Sequence, residues 1–168
     1  MGELAQKICK LEKEAIINML NTAYAEEWLA YYQYWIGSHL AVGVLRHAVA
    51  DEFMEHAKEE LEHAEKLAKR IGQLGGVPLI NPNLWEKTAE CKYDEPKNPC
   101  VCKLLEQNLT AERCAVARYQ KICEMTEGKD FVTFHLAREI LEDEIEHEQE
   151  LFDYIRDMEH GCCESKEK

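Results

Sequence analysis

The sequence predicts an all-α chain: a four-helix bundle made of two hairpins, joined by a long crossover that contains a short helix. Apolar residues recur at helical spacing through four long stretches, and all four prolines fall between residues 75 and 99. One pattern also occurs twice. Glu27 stands 33 residues before Glu60 of Glu60-Leu61-Glu62-His63, and Glu112 stands 32 before Glu144 of Glu144-Ile145-Glu146-His147. The midpoint of the first pair falls beside Gly43 and that of the second on Gly128. In an antiparallel helical hairpin, residues equidistant from the turn lie at one height, so each hairpin sets its glutamate level with its Glu-x-x-His.

The first helix is expected over residues 4–40, with Leu11, Ile16, Leu20, Ala23, Glu27, Ala30 and Tyr34 on one side. The aromatic cluster Trp28, Tyr31, Tyr32, Tyr34 and Trp35 suits core or subunit interface. A second helix over 46–74 carries Val49, Phe53, Glu60, Ala64, Leu67 and Ile71, and stops at Gly75-Gly76-Val77-Pro78. Antiparallel neighbours need only about 2–8 connecting residues. The stretch 75–99 is far longer, so it reads as a crossover along the bundle, with a short helix from Asn83 to Cys91. The third helix spans 99–126 and the fourth runs from the Gly128 turn to about Glu159. Residues 1–160 thus form one bundle domain, and 161–168 a flexible C-terminal tail with no fifth helix.

Glutamate on an apolar stripe needs a reason, because a lone buried carboxylate costs several kcal/mol unless paired, protonated or metal-bound. Glu and His three residues apart on a helix face the same way. One such motif in an acidic chain is ordinarily a solvated face. Two, each with a matched upstream glutamate, point to a metal centre of Glu27, Glu60, His63, Glu112, Glu144 and His147. Oxygen and imidazole donors select iron, with manganese or zinc as substitutes. Glu27 and His63 are assigned to one ion, Glu112 and His147 to the other, with Glu60 and Glu144 bridging. Tyr34 and Tyr119, each seven residues after the upstream glutamate, are expected to steer carboxylates. His56 is expected to be a satisfied or gating histidine. Glu59, Glu62, Glu146 and Glu148 read as solvated faces or as residues that admit ions.

The net charge of −13 argues against nucleic acid and anionic membrane as partners and suits a protein that handles cations. No signal-like apolar core occurs near the start, and no run reaches the ~18 apolar residues of a membrane span. A cytoplasmic location is the expectation.

With its doubled Glu and Glu-x-x-His set, the chain resembles the ferritin-like superfamily, and in its ligand pattern the bacterioferritins. More narrowly, Thr110-Ala111-Glu112-Arg113-Cys114-Ala115 with Glu144-Ile145-Glu146-His147-Glu148 is similar to the Dps-like thioferritins. That group combines a bacterioferritin-type di-iron site with a Dps-like cage and a cysteine pair. The resemblance implies two iron ions per subunit and a ferroxidase that oxidises Fe(II) with hydrogen peroxide as its preferred oxidant. It also implies mineral storage and protection against oxidative stress. A homo-oligomeric dodecamer is expected, with a cage of 24 subunits as the alternative.

The cysteine pair that the resemblance implies is Cys91 with Cys114. Helical spacing alone does not select it: Cys114 lies about 200° round the helix from Glu112, whereas Cys123 falls on the site's own stripe. Leu61 occupies the place of the bacterioferritin haem methionine, so haem is not expected. Lys7, Lys10 and Lys13 are a sparse version of a Dps lysine tail, and nucleic acid is not an expected partner. The alternative function is a rubrerythrin-like or other non-storing di-metal peroxidase or oxidase. Cys100-Val101-Cys102 lacks the C-x-x-C spacing of zinc or rubredoxin-type iron sites, and no second pair completes one, which weighs against rubrerythrin.

Overall fold

The computed structural model describes residues 3–163, with side chains through residue 159. Six helices follow in order: α1 (Leu4–Ile8), α2 (Lys13–Leu40), α3 (Arg46–Gln73), α4 (Trp85–Thr88), α5 (Val101–Thr126) and α6 (Phe131–Cys163). The four long ones, α2, α3, α5 and α6, form the bundle.

Both turn glycines adopt the left-handed backbone their position demands. Gly43 has φ 115° and Gly128 φ 68°, where an L side chain would be strained. A third such residue closes α3: Gly75, at φ 78°, donates to Gly72, and Gly76 to Ile71, the double bond of a Schellman cap.

The ends differ from the sequence expectation. The helix expected over 4–40 is broken, because Glu12 leaves helical geometry to accept hydrogen bonds from the backbone of Glu14 and Ala15. The freed segment is tied to the opposite hairpin, with Lys10 donating from its backbone to Lys129 at 3.0 Å. The crossover helix is shorter than Asn83–Cys91. A 3₁₀ turn, Pro82–Leu84, capped by the Asn81 side chain, leads into α4, and the chain becomes extended at Ala89. In contrast, α6 passes Gly161 and reaches Cys163. One glycine costs a helix only about 1 kcal/mol, so it need not end one. The rest of the tail, residues 164–168, lies outside the described residues.

The crossover is fastened along its length. The rings of Trp85 on α4 and Trp28 on α2 stack at 5.0 Å, nearly parallel. Gln33 accepts from the Asp94 backbone and donates to Asn108 on α5. At the far end, the Val42 backbone donates to Pro99 and accepts from Val101, so the first turn holds the start of α5.

The apolar core is divided. One cluster, including Ile16, Leu20, Leu67, Ile71, Ile122 and Ile140, fills the end near Gly128. The other, including Val49, Phe53, Leu104, Leu105 and Leu151, fills the opposite end. Between them lies a layer of buried glutamate and histidine. Burial of the apolar ends stabilises the bundle and holds this polar layer in place.

Candidate metal centre

Each long helix delivers its part to the layer: α2 Glu27, α3 Glu60 and His63, α5 Glu112, α6 Glu144 and His147. All six are at most 3% exposed. His63 Nδ1 lies 3.4 Å from Glu27 Oε2, 3.4 Å from Glu60 Oε2 and 3.3 Å from Glu144 Oε1. His147 Nδ1 lies 3.6 Å from Glu60 Oε1, 3.7 Å from Glu144 Oε2 and 3.9 Å from Glu112 Oε2. Glu60 and Glu144 therefore present one oxygen to each histidine. The six resolve into two overlapping quartets that could each hold an ion: Glu27, Glu60, His63, Glu144 and Glu60, Glu112, Glu144, His147.

The hydrogen bonding is divided between inside and outside. His63 donates from Nε2 to Asp143 at 3.0 Å, and His147 from Nε2 to Glu59 at 2.7 Å. These bonds fix the tautomer and leave each Nδ1 turned inward. Tyr34 donates to Glu112 Oε1 and Tyr119 to Glu27 Oε1. What remains is a set of buried atoms with no hydrogen-bond partner: Glu27 Oε2, Glu112 Oε2, both oxygens of Glu144, and Nδ1 of His63 and His147. Orphaned buried donors and acceptors are rare, because each costs about 1–3 kcal/mol. These six all belong to the two quartets, as a pair of divalent cations would require, while two further orphaned atoms, Trp28 Nε1 and His56 Nδ1, lie outside them.

Electrostatics agree with that reading. Burial opposes charge on both imidazoles, yet the hydrogen bonds they donate to the surrounding carboxylates prevail. They hold the His63 pKa far above its usual range and push that of His147 up to about 12. Glu27 and Glu112 are raised well above ordinary carboxylates, first by burial and then by the charges of Glu60 and Glu144. Without metal the layer thus binds extra protons, and a cation would replace them.

Several of these residues escaped the sequence reading. Asp143 was not singled out, and Glu59 was assigned to a solvated or ion-admitting face. The structure instead sets both against the histidines, each across to the other hairpin. A signal was present: each Glu-x-x-His is preceded directly by an acid, Glu59 or Asp143. Glu26 and Arg118 were also missed. Arg118 donates to both oxygens of Glu26, which in turn accepts the backbone N–H of Glu90 and Cys91. This buried pair anchors the crossover where Cys91 is joined to Cys114 by a disulfide. Cys123 is buried and free in the apolar cluster. A narrow cavity of about 30 Å³ touches Cys91 on one side and Glu27, Glu60 and Glu112 on the other. His56 lies inside the bundle too, its ring stacked 4.1 Å from that of His147.

The pattern of the ferritin-like domain matches residues 17–160. The DNA protection during starvation protein of Pyrococcus furiosus is 36% identical over 139 residues, spanning 82% of this chain and 75% of its own length. The bacterioferritin of Desulfovibrio desulfuricans is 29% identical, over 80% of this chain and 71% of that protein. The structure superposes with TM-score 0.96 on a dodecameric thioferritin, the bacterioferritin-related protein of Bacteroides fragilis. That chain is 46% identical and is covered in full, along with 99% of the present one. The Dps of Thermosynechococcus elongatus shares the fold, with TM-score 0.81 at 20% identity over 91% of this chain and 95% of that one. Among the described residues, no helix is long and apolar enough to cross a membrane. On the strength of the doubled ligand pattern, the bundle and these relatives, the chain belongs to the ferritin-like family, in its Dps-like branch.

Proposed function

We propose that the protein is a Dps-like ferroxidase and iron-storage cage, which oxidises Fe(II) with hydrogen peroxide and so protects against oxidative stress. The observation that carries this is the convergence of orphaned carboxylate and imidazole atoms, Glu27 Oε2, Glu112 Oε2, both Glu144 oxygens and the two Nδ1 atoms, in one buried layer. Two iron ions per subunit suit it: Glu27 and His63 for one, Glu112 and His147 for the other, and Glu60 with Glu144 shared. Zinc and manganese would fit the same donors.

Two Fe(II) ions held there would give up one electron each, which with two protons would reduce one hydrogen peroxide to two waters. The chain's residues supply the setting. Asp143 and Glu59 keep both imidazole Nδ1 atoms available, while Tyr34 and Tyr119 hold one oxygen of Glu112 and of Glu27, turning the other inward. The apolar clusters on either side exclude bulk water. The narrow cavity beside Cys91 has room for a molecule about the size of water, so it favours a small oxidant. The disulfide there suits a redox role for Cys91 and Cys114 beside the centre.

The kinship to a dodecameric thioferritin supports a shell of twelve chains of 19.5 kDa, about 234 kDa. Charge on the scale of −13 disfavours the phosphate backbone, so protection would come from consuming iron and peroxide rather than from coating DNA. A cytoplasmic location suits this role. Light scattering coupled to gel filtration tests storage: a mass near 234 kDa supports the cage, while a dimer favours a non-storing di-metal peroxidase. Initial Fe(II) oxidation rates at matched oxidant concentration test the chemistry. Faster reaction with peroxide is expected, and faster reaction with dioxygen overturns the assignment of oxidant.

A further inference from the structure

The expectation that His56 is a satisfied histidine does not hold. The residue is 1% exposed, and its Nδ1 is buried with no hydrogen-bond partner. Nε2 donates to Glu150 at 2.9 Å, which places the proton there and leaves a lone pair on Nδ1. An orphaned polar atom in a bundle interior costs about 1–3 kcal/mol, so packing alone does not account for a histidine at this position.

The same arrangement marks both histidines of the two quartets. His63 donates from Nε2 to Asp143 and His147 to Glu59, and each leaves Nδ1 buried and unpaired. A carboxylate on one ring nitrogen and a metal on the other is the usual setting of a ligating imidazole. His56 repeats it with Glu150. Residues 56, 60 and 63 stand at i, i+4 and i+7 on α3, so His56 shares the stripe of Glu60 and His63. Its ring stacks on that of His147 with centroids 4.1 Å apart, and His56, Glu112 and His147 offer ligand atoms within 4.8 Å of one another. Glu112 Oε2 is itself unpaired, while Tyr34 engages Oε1. The doubled pattern of the chain breaks here: four residues before Glu144, where α6 would match His56, stands Ile140, buried in an apolar cluster.

We infer that His56 is a further ligand of the centre, binding through Nδ1 the ion that Glu112 and His147 hold. The inference rests on the two-metal reading of the layer. It makes the two ion positions unequal. The one beside Glu112 gains a second imidazole, whereas the one between Glu27 and His63 keeps a single imidazole among carboxylates. Imidazole suits zinc and iron and carboxylate suits manganese, so the position with His56 is the tighter and more selective of the two.

Zinc(II), which has no redox chemistry and takes the same donors, serves as the probe on the assembled protein. Anomalous diffraction from zinc-soaked crystals should show His56 Nδ1 about 2.0–2.1 Å from a peak shared with Glu112 and His147. Zinc at the centre with His56 Nδ1 beyond about 3 Å of every peak overturns the inference and leaves the two-metal centre standing. If the layer takes up no zinc, both readings fall. In solution, His56→Phe keeps a ring to stack on His147 but removes the donor atom. Zinc titration by calorimetry should then show one of two binding events weakened at least about tenfold, with the other as in the parent. Parent affinity for both events would mean that the ring serves for stacking alone, and the inference fails. The parent crystals decide the contact whether or not the variant folds.

Discussion

His147 on α6 donates from Nε2 to Glu59 on α3 at 2.7 Å, and Glu59 is the residue directly before the candidate bridge Glu60. The other hairpin repeats the arrangement: His63 on α3 donates to Asp143 on α6, directly before Glu144. Each half of the chain therefore orients the histidine of the other. The same crossing holds for the tyrosines, since Tyr34 of the first hairpin serves Glu112 and Tyr119 of the second serves Glu27.

Such outer carboxylates set the tautomer and basicity of a ligating imidazole. Substituting Glu59→Gln or Asp143→Asn is expected to lower metal affinity about 10–100-fold with the bundle intact. Competition against a chromophoric chelator measures it. Parent affinity in both variants would show that these contacts are incidental.

The tyrosine hydroxyls make a separate prediction. Tyr119→Phe keeps the ring in the core but strips the donor from Glu27 Oε1, leaving a further buried oxygen unpaired. A loss of about 1–3 kcal/mol of metal-free stability is expected. Weaker metal binding should accompany it, and Tyr34→Phe should behave alike. Were the tyrosines there for packing alone, both variants would bind metal as the parent does.

Much of this was legible in the chain. Spacing about Gly43 and Gly128 located the turns and the six residues that converge at one level of the bundle. The helix ends were less legible, because they depend on contacts between distant segments, such as Lys10 with Lys129. The outer acids were hidden by composition: in a chain with 33 acidic residues, Glu59 looks like any exposed glutamate until α6 is laid beside α3. Glu26 was masked similarly, adjoining Glu27 yet facing Arg118 and the crossover instead of the metal layer. The Cys91–Cys114 pairing came from family likeness, since Cys91 sits in a segment without periodicity.

A structural ion pair carries a pH prediction. Arg70 donates to both oxygens of Asp130, which also accepts the Thr133 backbone at the start of α6. Burial alone would raise the Asp130 pKa, but hydrogen bonds from Thr133 and Arg70 outweigh it and lower the value from 3.8. A depressed carboxylate contributes stability above its unfolded value and loses it on acidification. The contribution should be complete above pH 3.8 and disappear as pH falls through the lower, folded value. Asp130→Ala should cost about 3–5 kcal/mol at neutral pH, since it leaves Arg70 buried and unpaired. Denaturant titrations at neutral and acid pH should show that difference narrowing in acid; equal stability at neutral pH contradicts it.

Metal binding should expel protons. The pKa of His147 is pushed up to about 12 and that of His63 is also raised, by hydrogen bonds to the surrounding carboxylates, so the metal-free layer carries protons on its histidines; burial shifts Glu27 and Glu112 in the same direction. A cation must displace those protons, and affinity should therefore rise with pH. Calorimetry in buffers of different ionisation enthalpy reads the release directly. Binding without proton release would mean that the ion sits elsewhere.

The most direct test of the central claim is stopped-flow oxidation of Fe(II) by hydrogen peroxide, comparing the parent with Glu60→Ala and Glu144→Ala. Both glutamates offer an oxygen to each histidine, so either substitution should open both candidate ion positions at once. The predicted result is a fall in rate of more than about 100-fold in each variant, with helical content and assembly mass unchanged. Oxidation at the parent rate in both would contradict the assignment of this layer as the ferroxidase centre.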